Sequence, residues 1–599
     1  MSGYKIDFES KPPERFFLSR VPGDPARASA LLGAVSSLLD RGVISPVPLE
    51  DQGSGFYSNL FVVPKKEGSV RPILDLKLLN KFLRVRKFRM ESLRSVIASL
   101  LPGEFLASVD IQDAYLHVPI AESHQRYLRF AIGDRHYQFV ALPFGLATAP
   151  RVFTKILAPI MALLRSRGIS LLPYLDDILI KAPSFPQAVD SVQITVQTLE
   201  QFGWLINRPK SSLLPSQRLA FLGMILDTSL SKVFLPDSKS SQIQEAVRLL
   251  RSPQTLSIRQ CMRTLGLMVA SLEAIPYAQF HTRPLQRLIL SRWDKSPLGL
   301  DSRVRLPPRV RASLSWWLSP PNLGSGRSFL PVVWTIVTTD ASLSGWGGVL
   351  KDQTVQGVWS AEESRLPINI LELRAIFLSL SHWTRILSGV PVRVQSDNAS
   401  AVAYINHQGG TRSRAIMREV EWILQWAESN VPLLSAVYIP GVDNWTADFL
   451  SRTIVDPGEW SLHPEVFQEL CRRWGRPDVD LMASRLNCKV PVYLARARDP
   501  KACGVDALVA PWQHFRLLYV FPPIPLLPKL LRRIALEGIP AILIAPDWPR
   551  RSWFADVVRM LADAPWPLPD REDLLSQGPL FHRNLRSLRL TAWLLKPSS

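Results

Sequence analysis

Cysteine is scarce in this sequence: there are 4 in 599 residues, at Cys261, Cys471, Cys488 and Cys503. No pair has Cys-x-x-Cys spacing, which argues against a zinc ribbon and against a thioredoxin-like redox site. So few cysteines in so long a chain fit a reducing, intracellular compartment, nuclear or cytoplasmic. Long hydrophobic runs are also lacking. No uncharged apolar stretch approaches the roughly 18 residues that suggest a bilayer span. The N-terminus, Met1-Ser2-Gly3-Tyr4-Lys5-Ile6-Asp7, has no apolar signal-peptide core, so no membrane association is expected. There is no short-period repeat, and the 50 prolines are scattered without a proline-rich block. Negative charge is in deficit: 51 Asp and Glu stand against 71 Lys and Arg, a net charge of +20. That excess points to a polyanionic partner, most simply nucleic acid.

What is present is globular in composition, 47% hydrophobic and 20% charged. The length is enough for roughly three to five domains. The stretch Leu171-Leu172-Pro173-Tyr174-Leu175-Asp176-Asp177-Ile178-Leu179-Ile180 stands out. Two carboxylates lie between apolar runs that read as buried strands, so Asp176 and Asp177 fall at a hairpin tip. Adjacent like charges there are costly without a positive partner, and a divalent cation is the usual one. An ordinary polar hairpin tip is the alternative at this point. Upstream, residues 58–75 read as strand, turn at Glu67-Gly68, strand, with Lys65, Lys66 and Arg71 around the turn. Such a hairpin suits a triphosphate, with Arg bidentate and Lys a point charge, or it is merely solvated. The run Phe105-Leu106-Ala107-Ser108-Val109-Asp110 ends in a carboxylate, with Tyr115 five positions on. Asp110, Asp176 and Asp177 converging across a sheet would hold two Mg²⁺ about 3.5–4 Å apart, the arrangement for phosphoryl transfer. Asp113 is expected to cap the helix that follows Asp110.

The basic hairpin, Val109-Asp110-Ile111-Gln112-Asp113-Ala114-Tyr115, Leu142-Pro143-Phe144-Gly145-Leu146-Ala147-Thr148-Ala149-Pro150 and Tyr174-Leu175-Asp176-Asp177 occur in this order. Together with Phe221-Leu222-Gly223-Met224 they resemble the reverse transcriptases of retroelements, over about residues 40–290. The resemblance implies a right-hand polymerase of fingers, palm and thumb. It implies that Asp110 and Asp176 coordinate two Mg²⁺, with Mn²⁺ as a substitute, and that Asp177 completes the acidic hairpin. It further implies that Lys65 and Arg71 contact the incoming dNTP and that Tyr115 lies under the sugar as a gate against a 2′-hydroxyl. Phe144 and Gly145 would line the nucleotide pocket, and Phe221, Leu222 and Gly223 would form the primer grip. Residues 46–235 are assigned to fingers and palm after an N-terminal extension over 1–45. Residues 236–330 are assigned to a helical thumb and connection.

A second acidic set follows in 331–455. Asp340 and Asp397 end strands, while Glu372 and Asp448 lie in helical runs. In order and flanks these residues resemble the four metal-binding acids of RNase H, a mixed sheet with helices that follows the polymerase in many retroelements. The resemblance implies two Mg²⁺ and cleavage of the RNA strand of an RNA–DNA hybrid. One departure is that Val442, not His, follows Gly441.

Residues 456–599 alternate strands and helices, so an α/β sheet is expected. The chain is thus α/β and α+β multidomain. Its last part resembles a phage-type adenine N6 methyltransferase, the module that follows RNase H in DIRS-type retroelements. Asp480 would sit near the methyl donor and Pro522-Pro523 at the adenine pocket. Phe521 and Ile524 depart from that family's catalytic loop, since Phe cannot accept the amino group's hydrogen bond and Ile offers no aromatic face to a flipped base. A degenerate, non-transferring domain is therefore expected. His463, Cys471, Cys488, Cys503 and His514 are too irregularly spaced for a zinc site and read as packing residues. The expected activity is RNA-directed DNA polymerase with RNase H, acting on RNA or DNA template, primer and dNTPs. The rivals are a catalytically decayed or domesticated nucleic-acid-binding protein and an active DNA adenine methyltransferase. Integration would fall to another element-encoded protein such as a recombinase.

Overall fold

The structure, a computed structural model, describes residues 3–64, 70–88, 90–252, 254–453, 459–582 and 584–597. The chain divides into two units, 1–331 and 332–599. No helix among the described residues is long and apolar enough to cross a membrane.

At the centre of the first unit is a four-stranded antiparallel sheet in the order Ser212–Ser216, Phe105–Asp110, Asp177–Ala182, Ser170–Tyr174. Successive side chains of a strand point to opposite faces. Ala107, Val109, Ile178 and Ile180 pack on one face with Phe153, Leu157, Val196 and Leu199 from the helices Ala149–Ser166 and Phe185–Gln201. Leu106 and Leu179 face the other way, into a core shared with Val96, Phe221 and Val247. Both faces are covered, which is why these strands read as unbroken apolar runs and not as alternating ones. The polar residues that break the runs, Asp110 and Asp176-Asp177, come where the cover ends.

A second sheet, in the order Leu18–Ser19, Arg129–Ile132, Arg135–Phe139, Ile44–Pro46, and the hairpin Leu60–Pro64 with Val70–Leu74 are built from segments on both sides of the strand Phe105–Asp110 in sequence. The helix Pro25–Asp40 is started by the Asp24 carboxylate, which accepts the Arg27 N–H. It buries Leu31, Val35 and Leu38 in one core with Ile6, Phe130, Phe139 and Leu142, so the described part of 1–45 is packed into the same body as these sheets. Further on, Asp237–Arg251, Ile258–Val269 and Ala278–Arg292 are helices whose apolar faces meet Leu314 and Trp317.

In the second unit, a five-stranded sheet runs Gln353–Val358, Gly345–Leu350, Thr335–Ala341, Val392–Ser396, Leu434–Tyr438. The first three strands are antiparallel and the last two join in parallel. Glycine at 347 is required by packing: a Cβ there would collide with Leu450 and come 2.6 Å from the Ala447 carbonyl. The helix Trp445–Arg452 therefore lies directly on the bare strand. The C-terminal sheet runs Val479–Asp480, Leu518–Val520, Ala541–Pro546, Leu590–Leu595, Trp566–Pro567. Its first three strands are parallel and Leu590–Leu595 is antiparallel. Helices Pro464–Trp474 and Leu527–Glu537 complete this mixed α/β layer.

Two candidate carboxylate sites

Asp110 and Asp177 are direct cross-strand partners at the end of the central sheet. Leu175, at φ 55°, makes the turn that carries Asp176. The turn is tied down by the Ile111 N–H, which donates to the Asp176 carbonyl at 2.9 Å. Facing like charges on paired strands oppose each other. Burial, then the Asp176 charge, raises the Asp110 carboxyl. Burial, then the charges of Asp176 and Asp110, pushes Asp177 up to about 6. Asp176 is exposed while Asp177 is half-buried, since adjacent residues of a hairpin face different ways. Among the described residues these three do not draw together as one compact ligand set.

The segment after the helix Phe185–Gln201 braces this end of the sheet. The Asn207 N–H donates to the Asp110 carbonyl at 2.8 Å, and the Ser211 hydroxyl accepts the Asp110 N–H at 2.9 Å. The Asn207 side chain also bonds the Asp110 carboxylate, and the Lys210 charge reaches both Asp110 and Asp177. Asn207 and Lys210 are functional candidates that sequence reasoning missed. Their signal was the polar run Asn207-Arg208-Pro209-Lys210-Ser211 between an amphipathic helix and a strand.

The Tyr115 ring lies 5.1 Å from Phe144 and 5.8 Å from Phe153. Burial, then the Asp176 charge, pushes its hydroxyl up to about 12, so it stays protonated as a donor. Arg71 places its guanidinium 5.2 Å from the Phe144 ring centre. Gly145 has φ 112°, and a Cβ there would lie 2.5 Å from the Leu74 carbonyl oxygen. Asn80 clamps the same loop, donating to the Gly145 carbonyl and accepting the Ala147 N–H, each at 2.9 Å. Gly145→Ala should therefore destabilise the first unit by about 1–3 kcal/mol. Thermal unfolding would show it, and an unchanged melting temperature would rule the strain out. Arg71 and Phe144 also line a cavity of about 430 Å³ beside the N-terminal helix.

Several expectations fall elsewhere. Lys65 and Lys66 lie outside the described residues. Asp113 does not cap the turn Ala114–His117 with its side chain. It sits at φ 47°, and its carboxylate is taken by Arg41 at 2.8 Å, a stronger charged partner than a backbone N–H. Leu222 and Gly223 form a tight turn between Arg218–Phe221 and Met224–Asp227, while the Phe221 ring is buried in the core.

The second site is compact. Asp340, Glu372 and Asp397 each offer a carboxylate oxygen within 4.8 Å of the others. Asn444 Nδ2 donates to Asp340 Oδ1 at 3.2 Å, and the Ser451 hydroxyl donates to Oδ2 at 2.7 Å. Neither residue was singled out from sequence. Burial pushes Asp340 up to about 6, against the Ser451 hydrogen bond and with the Asp397 charge. Burial, then the Asp340 and Asp397 charges, pushes Glu372 up to about 9. Glu372 Oε2 is buried with no hydrogen-bond partner. An orphan oxygen among three acids is what a hard divalent cation would satisfy, so the donor set fits Mg²⁺ or Mn²⁺. Asp448 is not in the group: its Oδ1 accepts from Arg452 Nε at 2.6 Å. Gly441 lies against Asp397, and Val442 after it is exposed.

A carboxyl held above its unfolded value stabilises the fold fully only below that value, and the stability is lost as pH rises through the folded one. For Glu372 that window runs from 4.5 to about 9. In chelator, the 332–599 unit should lose about 5 °C of melting temperature between about pH 5 and pH 9. Glu372→Gln should flatten the slope. A wild-type slope that survives Glu372→Gln would assign the effect to other groups.

In the C-terminal sheet, Asp480 ends the first strand but is turned inward. Its oxygens accept the Lys489 N–H at 3.0 Å and the Met482 N–H at 3.3 Å, and burial pushes it up to about 7. Pro523 lines a cavity of about 390 Å³ with Leu481, Met482, Leu494 and Asp506. Phe521 and Ile524 are partly buried in two separate cores. His463, Cys471, Cys488, Cys503 and His514 form no metal-holding group among the described residues. His463 instead caps the helix Pro464–Trp474, accepting the Glu465 N–H.

Residues 63–226 match a family model described as reverse transcriptase (RNA-dependent DNA polymerase). Residues 333–426 match one described as an RNase H-like domain found in reverse transcriptase. The chain is 25% identical over 459 residues to the transposon Tf2-3 polyprotein of Schizosaccharomyces pombe, covering 74% of this chain and 32% of that protein. The chain thus spans about a third of the length of the curated relatives it matches. Among solved structures it is similar to the foamy viral protease-reverse transcriptase in complex with RNA/DNA hybrid, at 17% identity and TM-score 0.48, covering 77% of this chain and 60% of that one. It is also similar to the foamy viral protease-reverse transcriptase dRH with double-stranded DNA, at 16% identity and TM-score 0.47, covering 76% of each.

Proposed function

We propose that this chain, which carries a reverse transcriptase domain followed by an RNase H-like domain, is the RNA-directed DNA polymerase and ribonuclease H segment of a retrotransposon polyprotein. One observation carries this reading: each of the two domains sets acids where strands of its sheet end, Asp110 and Asp177 as cross-strand partners beside Asp176 in one and Asp340, Glu372 and Asp397 in the other. Its substrates are an RNA or DNA template, a primer 3′ end, dNTPs and the RNA–DNA hybrid.

In the first site Arg71 offers a fork of donors to the triphosphate. Tyr115, packed on Phe144 and Phe153, forms the floor under the sugar and crowds a 2′-hydroxyl. Gly145 lets the loop approach Leu74 closely enough to shape the pocket wall. Lys210 stands by the carboxylates as a positive group facing the transferred phosphate. In the second site Asn444 and Ser451 aim the two oxygens of Asp340, and Glu372 and Asp397 complete the set. Asp110, Asp176 and Asp177 in one site, and Asp340, Glu372, Asp397 and Asp448 in the other, would hold Mg²⁺. When bound, the ions supply charge neutralisation on phosphate oxygens and a more acidic attacking hydroxyl or water.

The finer placement is with DIRS-type elements, on the motif order in 456–599 and the parallel strands that start its sheet. The domain is read as methyltransferase-derived and non-transferring. Asp480 is occupied by backbone N–H groups, and Phe521 and Ile524 are partly buried in core packing. Primer extension on an RNA template with Mg²⁺, comparing wild type with Asp176→Ala, tests the polymerase reading. Equal activity, or none in either, would overturn it.

A further inference from the structure

Arg452 closes the helix Trp445–Arg452 beside the second carboxylate site. The helix rests on Gly347 of the neighbouring strand, and Gly347 is the direct cross-strand partner of Asp340. Two consecutive residues at its end act on the acids in opposite ways. Ser451 is buried and donates to Asp340 at 2.7 Å, drawing that carboxylate into the cluster. Arg452 is exposed and donates from Nε to Asp448 at 2.6 Å, one helical turn back. Its charge also reaches Asp340 and Asp397. The result is a division of the acids, with three gathered within 4.8 Å and the fourth engaged by a cation belonging to the chain.

We propose that Arg452 is a resident counter-cation of this site. It keeps Asp448 out of the Asp340–Glu372–Asp397 group, and loading with a divalent cation requires Asp448 to exchange the guanidinium for the metal. Arg452 is thus a positioning residue. It lowers repulsion among the acids while the site is empty of metal and competes with metal for Asp448. The geometry suits this role: a single Nε–H bond holds the carboxylate directionally, yet an exposed pair is weak enough to release. The inference rests on the RNase H reading of the site and adds a control over how readily metal enters.

The test is Mg²⁺ titration of the full chain by calorimetry, with Asp110→Asn and Asp176→Asn in every sample so that the second site alone reports. Arg452→Gln should bind Mg²⁺ about five- to tenfold more tightly than this parent, the scale of one partly exposed charge acting on a divalent ion. It should also melt lower than the parent in chelator and equally in excess Mg²⁺, a crossing that a merely structural role would not give. Equal or weaker Mg²⁺ binding by Arg452→Gln overturns the proposal. If Arg452→Gln does not fold, Arg452→Lys carries the test. It keeps the charge but loses the Nε donor, so binding should tighten by about two- to threefold, and no change overturns the idea. Adding Asp397→Asn separates the two readings. If binding survives that change, the site is not the metal centre and the RNase H reading fails. If binding is lost while Arg452→Gln matches the parent, the role of Arg452 alone fails.

Discussion

Asp176→Ala is expected to reduce primer extension on an RNA template by about 10²–10³-fold, the scale on which removing one key electrostatic group acts. Hybrid cleavage by the same protein should stay within about twofold of wild type, because sites with no shared partners behave independently. Asp176 is the exposed member of the first site, held at its tip by the Ile111 N–H to its backbone carbonyl and not through its side chain. Truncation to alanine thus removes the carboxylate with little loss of packing. It also removes the largest of the charges that raise Asp110 and Asp177, and the charge that raises Tyr115. The remaining acids should then ionise at lower pH and the metal-free fold should be no less stable. A variant that loses extension together with melting temperature would point to a structural role for Asp176 and count against the catalytic one.

The second large effect is expected from Asp397→Asn: hybrid cleavage falls by about 10²–10³-fold with primer extension retained. Asparagine keeps the shape of the side chain but removes one of the three negative charges that meet within 4.8 Å. Asp397 is among the charges that raise both Asp340 and Glu372. Its neutralisation should lower both and raise the melting temperature in chelator, so activity and stability move in opposite directions. Hybrid cleavage at wild-type rate would sink the assignment of this cluster to ribonuclease chemistry. Loss of both activities would instead mean that the two units depend on each other.

The elements that position the acids were legible in the sequence. Runs such as Phe105–Asp110, Thr335–Ala341 and Val392–Ser396 are strands rich in apolar and β-branched residues or alternating with polar ones, with a carboxylate at, next to or just past the end, and these are local signals. What decides the state of each acid was not legible. Asn444 and Ser451 reach Asp340 across more than a hundred residues of chain, and Asn207 and Ser211 reach Asp110 across about as many. No periodicity encodes such pairs. Asp113 shows the reverse failure: its neighbours suggest a helix cap, and a distant arginine holds the carboxylate instead.

The bare strand at Gly347 has a consequence for how lesions in this protein would be interpreted. Any side chain there must displace the helix that carries Asn444's neighbour Trp445, Asp448, Ser451 and Arg452. A genetic screen scoring only loss of ribonuclease would therefore return position 347 beside the acids themselves, although it has no functional group to offer. Selection on the nuclease would hold that glycine in place as firmly as it holds a ligand, and its invariance in a population of element copies would record helix clearance, not chemistry.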